Sequence, residues 1–98
     1  MILYKVIVTS KADSDEAAIY QYISEEFGEI YAEKFRGKLI EFFKLLSKHP
    51  FIGRPAKNDS TIKVYAFNRQ NKIIYKVIED SIVIIRILDT KTRYSSKF

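Results

Sequence analysis

The sequence predicts an α+β fold in the order βααβββ: an antiparallel-rich sheet with an αα-hairpin packed on one face. Three observations predict it. Lys72–Asp89 holds two β-branched runs, Lys72–Ile78 and Ile82–Leu88, on either side of Glu79-Asp80-Ser81; such a pair reads as a hairpin in the middle of a sheet. Two long segments with apolar residues at spacings of three and four are separated only by Gly28, which reads as two helices joined by a tight turn. Ile2–Thr9 alternates between apolar faces, as a strand does.

Taken in order, Ile2–Thr9 is the first strand. Ser10 then reads as a helix N-cap, with Asp13 as a short capping-box partner. Asp13, Asp15 and Glu16 load the first turns with negative charge, which the helix dipole favours. The first helix runs from Lys11 to Phe27, burying Ala12, Ile19, Ile23 and Phe27, and Gly28 closes it as a left-handed C-cap. The second helix begins at Glu29 or Ile30 and reaches Lys48, about 28 Å. Ala32, Phe35, Leu39, Phe42, Phe43 and Leu46 form its buried stripe. Gly37, which costs a helix interior about 1 kcal/mol against Ala, predicts a close helix–helix approach. Lys48 and His49 complement the helix's negative end, and Pro50 stops it.

Phe51–Thr61 is rich in turn residues and reads as a loop. Ile62–Phe67 returns to strand, Asn68–Asn71 turns, and the hairpin follows, then a polar tail, Thr90–Phe98. Strict alternation puts Val83, Ile85 and Ile87 toward the core and turns Ile82, Ile84, Arg86 and Leu88 away from the helices. Lys76 falls with Ile74 and Ile78 on that outer face. The expectation is an exposed apolar floor carrying cations, a surface that usually meets a partner.

A chain of 98 residues, 47% of them hydrophobic, is read as one domain spanning residues 1–98. With no cysteine it has neither a disulfide framework nor thiolate sites. MILYKVIVTSK carries no secretory signal, and no apolar run approaches the ~20 residues of a membrane span. A cytoplasmic protein with no membrane partner is expected. The net charge of +5 favours an anionic partner, and the basic excess lies in residues 51–98.

Metal and cofactor chemistry are not expected, since His49 is the only imidazole and no acidic cluster has ligand spacing. The basic residues remain. Arg54 lies in the loop, and Lys63, Arg69, Lys76 and Arg86 lie on strands or turns; these five are the candidate binding residues. Lys91, Arg93 and Lys97 lie in the tail with Tyr94. Two readings of Arg86 stay open: a pair with a carboxylate such as Asp89, or a grip on an anionic partner.

These residues resemble the RelE/ParE family of type II toxin–antitoxin toxins over nearly the whole chain. The likeness rests on Ser10, Ala12 and Asp13; on Ile19 and Tyr22-Ile23; on Gly28, Ala32 and Phe35; on Pro50, Gly53 and Arg54 as P-x-x-G-R; and on Ile74-Tyr75-Lys76-Val77 followed by Ile82 to Arg86. It implies the same βααβββ fold. It implies one of two activities. ParE-like members act on DNA gyrase; RelE-like members cut mRNA in the ribosome with basic residues and often a C-terminal Tyr or His. The long helical hairpin and the P-x-x-G-R loop resemble the ParE side, a plasmid-stabilisation type of toxin that is not an enzyme. Lys91, Arg93 and Tyr94 are the catalytic candidates if the chain is instead an endoribonuclease. Either way the resemblance implies a cognate acidic antitoxin that folds along the hairpin and the open sheet, and it allows a toxin–antitoxin heterotetramer.

Overall fold

The computed structural model describes residues 2–90. Its elements are β1 (Lys5–Val8), α1 (Ser10–Phe27), α2 (Glu29–Lys48), β2 (Arg54–Pro55), β3 (Ile62–Ala66), β4 (Asn71–Ile78) and β5 (Ser81–Asp89). The predicted βααβββ order is present, with β2 added from inside the predicted loop. The five strands form one sheet in the order β1-β5-β4-β3-β2. β1 runs parallel to β5, with Lys5 beside Ser81 and Val8 beside Ile84; the other pairs are antiparallel.

The start of α1 differs from the expectation by one residue. Thr9, not Ser10, is the N-cap: its hydroxyl oxygen accepts from the Ala12 N–H at 3.1 Å. The same hydroxyl donates to the Ile85 carbonyl at 3.1 Å. One side chain therefore caps the helix and ties it to β5, which a serine one residue later cannot do. Gly28 has φ 104° and ψ 159°, an extended conformation with positive φ rather than the left-handed one, and all but closed to other residues. Its N–H bonds to the Ile23 and Ser24 carbonyls and its carbonyl accepts from Ala32. One residue so ends α1 and starts α2.

The core lies between the hairpin and one face of the sheet. Ala32, Phe35, Leu39, Phe42 and Leu46 of α2 are buried, as the spacing predicts, and Phe43 is half-buried. Phe35, Leu39, Phe42 and Leu46, with Ala12, meet Ile73, Tyr75, Ile82, Ile84 and Ile87 from the sheet. Phe42 stacks on Tyr65, centroids 4.5 Å apart, and Phe67 meets Phe35 edge-on at 5.9 Å. α1 contributes less than predicted, and Phe27 is 63% exposed at the hairpin tip. Gly37 makes no close approach, since a Cβ there would meet nothing within 4 Å.

The predicted faces of β5 are half wrong, for a local reason. Ile74 pairs with Arg86 but Tyr75 pairs with Ile84, so Ile85 is an extra residue in the ladder. This β-bulge reverses the alternation. Before it, Ile82 and Ile84 face the helices; after it, Ile87 does. Arg86 and Leu88 keep the outer positions that strict alternation assigned them, but Val83 and Ile85 move to that face and Ile82 and Ile84 leave it.

Candidate cationic face

The face turned away from the helices carries a row of four paired residues. Arg54 pairs with Val64, Val64 with Ile74, and Ile74 with Arg86. Strands lie about 4.8 Å apart, so the two arginines mark the ends of a row roughly 14 Å long. Lys76 sits in the adjoining row, between Ile62 and Val83. Lys72, between Ala66 and Leu88, lies on the other side. The strands thus place cations around Val64 and Ile74.

The middle of that face is not the exposed floor the sequence predicts. Val64 and Ile74 are buried, as are Ala56 and Leu88, and Ile62 and Ile85 pack against them. They form a second, small apolar cluster; Ile78 and Ile7, nearer the β1 side, are the exposed aliphatics.

Arg86 is held on its own chain. Its Nε donates to Asp15 Oδ2 at 2.7 Å and its Nη2 to Asp15 Oδ1 at 2.9 Å. Asp15 Oδ2 also accepts from the Ile87 backbone N–H at 3.0 Å. The reason lies in the topology. β1 pairs with β5 only as far as Ile84, so the edge beyond is open. Thr9 and Asp15, from the cap and first turns of α1, satisfy it. The carboxylate reading of Arg86 therefore holds, with Asp15 as its partner.

Arg54 is exposed, and its Nη1 lies 3.4 Å from the Pro55 carbonyl. Lys76 is half-buried and helps hold the Asp59 carboxyl below its usual range, behind the larger effect of hydrogen bonds from the Thr61 hydroxyl and N–H. Lys63 pairs with Tyr75 and so lies on the helix-side face, its Nζ 3.4 Å from the Ser60 carbonyl. Arg69 is exposed in the turn between β3 and β4, its carbonyl accepting from the Thr90 hydroxyl. Of the five predicted binding residues, the structure brings Arg54, Lys76 and Arg86 onto one face and sets Lys63 and Arg69 apart. Lys91, Arg93 and Tyr94 lie outside the described residues. His49 follows α2, its N–H donating to Leu45 and Leu46 carbonyls. Among the described residues no three His, Cys, Asp or Glu side chains converge to hold a metal ion, and no helix is long and apolar enough to cross a membrane.

A second feature was not foreseen. β1 is an edge strand. Lys5 and Thr9 donate toward β5, so Val6 and Val8 turn their backbone groups to the other side. Beside that edge lies a groove of about 430 Å³, with Leu3, Val6, Ile40 and Phe43 in its walls and Lys44 and Lys48 at its rim. Alternation in Ile2–Thr9 revealed the strand, but nothing local to it says that it has only one neighbour.

A family model described as the ParE toxin of the type II toxin–antitoxin system, parDE, matches residues 6–94. The fold is similar to a chain of the chromosomal ParDE system from P. aeruginosa, with 24% identity, 89% of this chain and 96% of that one covered, and a TM-score of 0.76. It is similar to a chain of the RelBE2 toxin–antitoxin complex from Mycobacterium tuberculosis, at 18% identity, coverage of 90% and 99%, and a TM-score of 0.63. A chain of the E. coli DinJ-YafQ toxin–antitoxin complex matches at 11% identity, coverage of 91% and 94%, and a TM-score of 0.62.

Proposed function

Because the chain belongs to the ParE toxin family of type II toxin–antitoxin systems, we propose that it inhibits DNA gyrase and is neutralised by a cognate acidic antitoxin. The observation that carries this reading is the family match across residues 6–94. The chemistry of the cationic face supports it. Cutting RNA requires a group that takes the 2′-hydroxyl proton, best with a pKa near the working pH. Arg54, Lys72 and Lys76 offer guanidinium and ammonium groups, which bind and stabilise anions, while the Arg86 guanidinium is engaged by Asp15. Tyr75, the nearby phenol, is buried with its oxygen accepting from Gly53. Such a face suits binding better than proton transfer. Purified protein in micromolar excess should block supercoiling by gyrase; supercoiling left untouched would remove the proposal.

The antitoxin has two surfaces to use. An extended segment can add to the open edge of β1, its apolar side chains entering the groove by Ile40 and Phe43 and its carboxylates meeting Lys44 and Lys48. The positive charge of the toxin speeds that encounter. Co-purification with a small acidic protein from the neighbouring reading frame, weakened by salt, is the expected result.

One observation favours a second reading, a ribosome-dependent mRNA endonuclease: cations framing one face suit a phosphate backbone, and the sequence continues into Lys91, Arg93 and Tyr94. In that case replacing those three by Ala abolishes toxicity, and message is cut at the ribosomal A site on induction. Intact mRNA after induction removes it.

A further inference from the structure

We propose that Tyr75 is a positioning residue: its hydroxyl, acting through Gly53, holds Arg54 in place at the end of the cationic row. This rests on the reading that Arg54 belongs to the toxic surface. Tyr75 stands in the middle of β4 and is 0% exposed, on the face that meets the helices. Its hydroxyl oxygen nonetheless reaches the segment after α2 and accepts the buried Gly53 N–H at 2.8 Å.

The fit between the two residues is close. A Cβ on residue 53 would lie 2.8 Å from the Tyr75 hydroxyl, 2.9 Å from its Cε1 and 3.1 Å from the Val64 carbonyl oxygen. Position 53 therefore has no room for a side chain, and this is the physical reason for Gly before Arg in the P-x-x-G-R stretch.

Arg54 follows at once, and apart from its pairing with Val64 at the edge of the sheet its place depends on the segment around it. β2 has two residues, and one is Pro55, which has no N–H to give a ladder. The Arg54 side chain is exposed and makes one long contact with a neighbouring carbonyl. Its position is inherited from the backbone, and the backbone is pinned at Gly53 on one side and by the Ala56 N–H to the Ile62 carbonyl on the other. Removing the hydroxyl leaves the Gly53 N–H buried without its acceptor, so the segment shifts to find water.

The test compares growth arrest on induction of the full chain for wild type, Tyr75→Phe, Arg54→Ala and the double variant, with Tm measured on each purified protein. Growth arrest reads toxicity whichever target is struck. Phe keeps the core volume of Tyr75, so a purely packing role predicts full toxicity. Positioning predicts that Tyr75→Phe raises the inducer needed for arrest about as much as Arg54→Ala does. It also predicts that the double variant is no weaker than Arg54→Ala alone. Ile82→Val, which lowers Tm without touching Gly53, should stay toxic. Full toxicity of Tyr75→Phe, an additive double variant, or loss of toxicity in Ile82→Val in step with its Tm would each overturn the proposal. Arg54→Ala as toxic as wild type would overturn the underlying reading of Arg54, and this inference with it.

Discussion

Asp15 accepts three hydrogen bonds, two from a guanidinium and one from a backbone N–H. The side chains of Arg86 and Asp15 are 22% and 16% exposed, so the pair is shielded enough for its loss to matter. Removing one partner of a shielded ion pair costs about 3 kcal/mol, because the other charge stays behind. Asp15→Ala should lower the free energy of urea unfolding by about that amount, and a change under about 0.5 kcal/mol would show the pair to be ornamental. Thr9→Ala loses both the cap and the tie to Ile85, and should cost about 1–2 kcal/mol in the same measurement. Tyr75 supplies a pH dependence. Burial pushes its hydroxyl above the ordinary value of 10.0, outweighing the opposite effect of the Gly53 N–H. The folded chain therefore keeps a proton that the unfolded chain has lost, and stability falls as pH rises through and above 10. Ultraviolet titration should show one tyrosine that ionises only on alkaline unfolding, absent in Tyr75→Phe. At this scale the sequence was legible in kind but not in pairing. Arg86 stood out as one cation in an aliphatic run, and a carboxylate partner was among its readings. That Asp15 answers it, 71 residues away, depends on where β1 stops.

The hairpin of helices shows which patterns survive folding. Spacings of three and four in α2 gave every buried position and overreached only at Phe43, which is half-buried, because a helix packed on a sheet has one inner face. The same rule failed at Phe27, which stays exposed at the hairpin tip. Gly37 suggested a close contact and has none. Gly37→Ala should thus stabilise the chain by about 1 kcal/mol, read as a rise in the urea midpoint; a fall would mean that the position is packed after all. In the strands, a period of two was reliable in β3 and β4 and misleading in β5. One added residue inverts a pattern, and an all-aliphatic run such as Val83-Ile84-Ile85 carries no polar marker of where the addition lies. β2 is two residues long, too short for any periodicity to announce it.

Across the molecule, the segregation of charge was readable in part: Arg54, Lys63, Lys72, Lys76 and Arg86, from the basic second half, lie on strands, and the helices cover one face of the sheet. What composition could not show is that the apolar centre of the cationic face closes into its own cluster, leaving charge rather than grease to meet a partner. Arg54→Glu with Lys76→Glu should therefore cut toxicity at least tenfold with little change in stability, since exposed and half-exposed substitutions of this kind stay within about 0.5 kcal/mol each. Growth arrest and thermal melts of the double variant check both halves of that statement.

The parallel pairing of β1 with β5 joins residues 76 positions apart, Lys5 beside Ser81. Contacts so distant along the chain form late and slow folding. During synthesis the first strand must wait, unpaired on both sides, until the last one leaves the exit tunnel. A half-made chain therefore has no finished sheet and no assembled row from Arg54 to Arg86.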